Sequence, residues 1–161
     1  MQSNPFIRSF ARGLLAGAAL LVAVAVPATG WGQASDMAPK PANDALYRAL
    51  GGQTGLVKLM DDFMQRLLAD PRMKPFFIDV DQPHVKEQLV AQFCEVSGGP
   101  CKLEGPNMKK VHDGFDINKG HFNALVEVLQ QAMDAQGIAF AAQNRLLAQL
   151  APMHREIINV K

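Results

Sequence analysis

The chain has 161 residues, 48% of them hydrophobic, and its 16 basic and 15 acidic side chains give a formal net charge of +1. A near-neutral balance without clustered basic stretches argues against a nucleic-acid partner, because that binding rests on neutralising many phosphates with lysine and arginine. No internal repeat or low-complexity tract divides the chain, and its length suits one domain around one core.

Residues 1–34 read as a signal peptide rather than as part of a fold. Arg8 and Arg12 precede the apolar run LLAGAALLVAVAV at residues 14–26, followed by Pro27 and a small-residue stretch ending GWGQA. A basic region, a short apolar region and a small-x-small site are the parts of a secretory leader. The run is shorter than the roughly 20 residues a helix needs to cross a hydrocarbon core, so no stable membrane span is expected after cleavage at Ala34. The arginines are not adjacent and no cysteine follows the run, so neither twin-arginine export nor lipoprotein attachment is indicated. The remaining 127 residues hold 14 basic and 15 acidic side chains. The expectation is an exported, periplasmic product: a flexible tether over residues 35–43, with Pro39 and Pro41, then a folded domain over residues 44–161.

From Asn43 onward the long segments carry the helical period and none alternates with period two. A short helix is expected over residues 45–50, stopped by Gly51 and Gly52. A longer one begins near Thr54, with Leu56, Leu59, Met60, Phe63, Met64, Leu67 and Leu68 on one stripe and Asp61, Asp62, Gln65 and Arg66 opposite. Pro71 ends it, and Pro75 predicts a loop delivering Phe76 and Phe77. The next helix spans residues 83–96 with Val85, Leu89, Phe93 and Val96 at spacings of three and four, and Gly98, Gly99 and Pro100 stop it. Helix is limited to a turn or two between Asn107 and His112. Two long helices complete the chain over residues 118–136 and 139–160; the first buries Phe122, Leu125, Val126, Leu129 and Met133, and Pro152 bends the second.

The fold class is therefore all-α. The segment between Val96 and Asn118 brings little apolar side chain of its own, and a flat apolar cofactor is one candidate to fill the space beside it. Cys94 and Cys101, seven residues apart, are the only cysteines. Outside the reducing cytosol they are a disulfide candidate, with two free thiols as the alternative. The spacing of Cys94, Cys101, His112 and His121 lacks the short pairs of a zinc site, and the c-type haem signature C-x-x-C-H is absent.

LYRALGG, DDFMQRLLADPRMKPFF, FCEVSGGPCKLEGPNMKKVHDG and HFNALVEVLQQAMDAQG stand in order along the chain. Together they resemble the truncated haemoglobins of the first group, over about residues 44–158. The resemblance implies the truncated-globin fold, a two-over-two helical sandwich around haem b. It implies that His112, closing the short helix after the second glycine motif, is the proximal ligand of the iron. A neutral imidazole suits that role; on its own, a histidine beside lysines is more often an ordinary surface residue. The resemblance further implies Phe77 on the distal side, Met108 on the proximal side, and Phe122 and Val126 along the next helix, all four equally readable as plain core. Lys86, Lys109 and Lys110 are candidates to face the two propionates. His121 and His154 need no iron, and His121 is expected to hydrogen-bond structure.

The function implied is reversible binding of a diatomic gas (oxygen, nitric oxide or carbon monoxide), in oxygen binding or transport, or in nitric oxide removal with an electron donor or reductase. Dioxygenase-type conversion of nitric oxide to nitrate is the one enzyme activity that fits, since it needs no acid, base or nucleophile from the protein.

The sequence departs from the family at the distal side. Many members place a tyrosine donor directly after the Asp-Asp-Phe run, and Met64 stands there. The other distal positions hold Val85 and Leu89 with Gln88 between them, and the only tyrosine, Tyr47, lies far upstream. A lost charge-assisted hydrogen bond of roughly 1.5–3 kcal/mol corresponds to about ten- to a hundredfold faster oxygen escape, which disfavours tight oxygen storage. The same opening leaves an alternative, an internally six-coordinate redox or electron-transfer protein with His84 or Met64 as sixth ligand. A haem-free helical domain is a third class, opposed by the retained His112.

Overall fold

The computed structural model describes residues 43–160, so the expected leader over residues 1–34 and nearly all of the tether lie outside the described residues. Among the described residues, eight α-helices and one 3-10 turn run in order: α1 (Ala45–Ala49), α2 (Gly52–Ala69), α3 (Lys74–Phe77), α4 (Gln82–Val96), α5 (Met108–Val111), α6 (Lys119–Ala135), α7 (Phe140–Leu150), the turn Ala151–Met153 and α8 (His154–Ile157). The described residues include no strand.

Four helices make the frame. α2 packs on α4 and on α6, and α7 packs on α4 and α6, so two helix pairs lie one over the other. The apolar stripe of α2 supplies Leu56, Leu59, Met60, Phe63 and Leu67, each at most 1% exposed. They meet Phe93 and Cys94 of α4, Val128, Leu129, Ala132 and Met133 of α6, and Leu146 of α7. Each such large side chain contributes about 1.5–3 kcal/mol when fully buried.

The breakers act locally. Gly51 takes φ +83°, a left-handed conformation that suits glycine, and Gly52 after it already opens α2, two residues before the expected start at Thr54. Gly98 takes φ +86° at the end of α4, where a Cβ would run into the carbonyl oxygen of Asn43. That close approach lets Tyr47 N–H donate to Ser97 O at 3.1 Å, tying α1 to the end of α4.

Three expectations change. Pro75 does not make a loop: it sits in the first turn of α3, where its missing N–H has no intrahelical partner to lose. Pro152 does not merely bend a helix to residue 160. It converts one turn to 3-10 geometry, α8 ends at Ile157, and the chain leaves in extended form. Val85 and Leu89 on α4, and Phe122, Leu125 and Val126 on α6, are only half-buried although their spacing marks them as core. These apolar faces turn toward the same cavity.

Candidate functional site

That cavity has a volume of about 990 Å³ and lies between α4, α5, α6 and the C-terminal elements. It stands at the upper end of the roughly 300–1,000 Å³ of cofactor and small-molecule sites. α4 contributes His84, Val85, Gln88, Leu89, Gln92 and Phe93, placed three and four residues apart on one helical face. α3 brings Phe76 and Phe77, and α6 brings His121, Phe122, Leu125, Val126 and Leu129. Leu103, Glu104, Gly105 and Pro106 form the side next to α5, and Met153 and Ile157 close the C-terminal end.

His112 lies at the C-terminal end of α5 on this wall, half-buried. Asn107 starts the helix, its side-chain oxygen accepting the Lys110 N–H at 2.9 Å. The His112 Nδ1 stands 2.7 Å from the Met108 carbonyl oxygen. A carbonyl only accepts, so Nδ1 carries the proton and Nε2 of the neutral ring keeps its lone pair. This is the arrangement that orients a metal-binding imidazole.

Of the residues singled out in the sequence, His112, Phe77, Met108, Val85, Gln88, Leu89, Phe122 and Val126 all line the cavity, and so does His84. Met64 does not: it is 4% exposed but off the wall, and α2 presents Phe63 there instead. One residue along a helix is a turn of about 100°, enough to move a side chain from one face to the next. The thioether of Met64 is thus not among the side chains that line the cavity.

The three lysines are not among the lining residues either. Lys86, one residue after Val85, turns to α2 and pairs with Asp61 at 2.6 Å. Lys109 and Lys110 fall between Met108 and Val111 on the outer side of α5 and are exposed. Among the described residues no lysine or arginine lines the cavity; its charged or titratable residues are Glu104, Glu127 and the histidines His84, His112 and His121.

His121 accepts the Asn118 N–H while Asn118 caps the His121 N–H at 2.9 Å, a reciprocal cap at the start of α6. Its ring meets Phe76 edge-on at 4.8 Å. His154 is off the wall, with Nδ1 2.8 Å from Ala151 O.

Cys94 and Cys101 form a disulfide with Cα atoms 5.7 Å apart. Beside it the Glu95 carboxylate accepts the Leu103 N–H at 3.0 Å and pairs with Lys102. The Leu103 N–H, and then Lys102, hold this carboxyl below the usual carboxylate range. Both links fasten the segment that walls the cavity next to α5.

Gln92 is the residue that sequence reasoning passed over. It is 8% exposed, and its amide nitrogen lies 3.1 Å from the Met153 sulfur and 3.6 Å from the Met108 sulfur. Its spacing of three from Leu89 and seven from Val85 already put it on the same face.

A family model described as bacterial-like globin matches residues 45–159. The chain belongs to the bacterial-like globin family. It is 31% identical to a group 1 truncated hemoglobin of Mycolicibacterium paratuberculosis over 70% of this chain and 83% of that one. It is 32% identical to a group 1 truncated hemoglobin of Synechocystis, over 71% of this chain and 97% of that one. The crystal structure of a truncated hemoglobin from Tetrahymena pyriformis in the Fe(III) form superposes with a TM-score of 0.68 at 27% identity, covering 71% of this chain and 97% of that chain. The frame of α2, α4, α6 and α7 is thus the two-over-two globin sandwich, and this globin is of the haem-binding, gas-binding kind. That membership does not favour the six-coordinate redox reading built on His84.

Proposed function

We propose that this globin holds haem b through Nε2 of His112 and binds a diatomic gas on the opposite face of the ring. The observation that carries the reading is the His112 imidazole, its Nδ1 proton engaged by Met108 O, set on the wall of a large apolar cavity. The residues fit the group: the apolar side chains of α3, α4 and α6 are left half-covered by the protein itself, as a flat macrocycle requires. When bound, haem supplies the iron centre at which the gas is taken up and released.

Phe77, Val85 and Leu89 keep water from the distal space, and Gln88 is the amide available there as a hydrogen-bond donor. Met108 backs the proximal side, and the Gln92 amide reaches its sulfur at 3.6 Å. With no tyrosine on this wall, oxygen is held loosely, and nitric oxide and carbon monoxide, which depend less on a donor, are favoured. We extend the reading to an exported, periplasmic protein and to nitric oxide removal served by an electron donor or reductase. The apolar run at residues 14–26 and the disulfide support the first.

Optical spectra of the haem-loaded protein test the site. A broad high-spin band in the unliganded ferrous form is expected; sharp low-spin bands there would replace the open site with internal ligation by His84.

A further inference from the structure

The helix that carries His112 cannot hold itself. α5 has four residues, none of them buried, and a single turn of helix is unstable alone. The chain then enters a turn with Gly114 at φ +78° and Asp116 at φ +50°, the latter a left-handed conformation that aspartate adopts at modest cost and that its surroundings help to hold.

The surroundings are the last residues of the chain. After the break at Pro152, α8 runs beside α5, and Ile158 turns the backbone extended. The Asn159 carboxamide then donates to His112 O at 2.9 Å. The N–H groups of Asn159 and Val160 both donate to Ile117 O, at 3.0 and 3.2 Å. Two consecutive residues thus hold both ends of the turn over residues 112–117, one end being the backbone of His112 itself. The same His112 carbonyl accepts the Phe115 N–H at 3.4 Å, so the carboxamide closes a fork on one oxygen.

We propose that Asn159 is a positioning residue for His112: its carboxamide fixes the His112 backbone, and the C-terminal segment thereby sets how the imidazole is presented to the cavity. The inference rests on the reading that His112 is the haem ligand. The structural part stands without haem, because the fork is made by protein atoms alone.

The test uses the full chain with Asn159→Ala, Asn159→Asp and Asn159→Gln. Aspartate keeps the shape but has no N–H to donate, whereas glutamine retains the donor. In the haem-free protein, hydrogen exchange at the Phe115 amide is expected to quicken about three- to tenfold in the first two variants, the effect of one lost hydrogen bond, and to recover in part in the third. In the loaded protein, haem transfer to apomyoglobin quickens by a similar factor, and the iron–histidine stretching band shifts or broadens. A general loss of stability would not move that band. Unchanged exchange and an unchanged band in both Asn159→Ala and Asn159→Asp overturn the inference. His112→Gly separates it from the reading beneath: normal haem uptake in that variant fells both, while lost uptake with silent Asn159 variants fells only this one.

Discussion

The carboxylate of Glu95 accepts the backbone N–H of Leu103 at 3.0 Å, one residue along from the disulfide that joins Cys94 to Cys101. A covalent link and an ionic one therefore clamp the same stretch of chain to the end of α4, and that stretch walls the cavity ahead of His112.

The pKa of the Glu95 carboxyl is lowered in the folded state from its ordinary value of 4.5, so its stabilising effect is full above that value and fades as the pH falls through the folded one. Acid should loosen residues 101–107 and release haem. Glu95→Gln should flatten this part of the pH profile below about pH 4.5, seen by following haem absorbance during acid titration.

Reduction of the disulfide should cost about 2–3 kcal/mol, the chain-entropy value for so short a loop. Urea unfolding of the haem-free protein with and without dithiothreitol measures it. Equal midpoints would show that the cross-link adds no stability.

His112→Gly should weaken haem binding by at least about a hundredfold, since even outer partners of a metal ligand are worth ten- to a hundredfold. Added imidazole should restore the spectrum. Uptake with unaltered colour and strength would remove the basis of the site.

Gln88→Ala should speed oxygen release by up to about tenfold while leaving carbon monoxide release nearly unchanged, because only the first depends on a donor amide. Stopped-flow replacement kinetics read both. Very slow oxygen release that ignores this substitution would contradict the apolar distal pocket.

Lys86→Ala should leave haem affinity unchanged and alter stability by no more than about 1 kcal/mol, since the ammonium pairs with Asp61 in solvent. Haem titration and thermal unfolding of the variant check both parts.

Periodicity made the frame legible. The stripe from Leu56 to Leu67 needed only the helical repeat, and Gly98 marked the end of α4 by its type. What spacing leaves open is a single step of rotation: Met64 and Lys86 each follow a cavity residue, and sequence spacing does not say which of two adjacent faces a neighbour will cover. Gln92 was missed because a glutamine among apolar residues reads as solvent-facing, although its register placed it inward. Asn159 gave no signal at all; its partner lies 47 positions away, and only the path of the chain after Pro152 brings them together.

The half-covered faces of Val85, Leu89, Phe122 and Val126 carry a thermodynamic corollary. With the space between them filled by water, those side chains forgo much of the solvent exclusion that stabilises the rest of the molecule, so the pigment is itself a piece of the hydrophobic interior. Affinity for it and resistance to unfolding become one linked quantity, and the melting temperature should climb with the logarithm of free haem concentration.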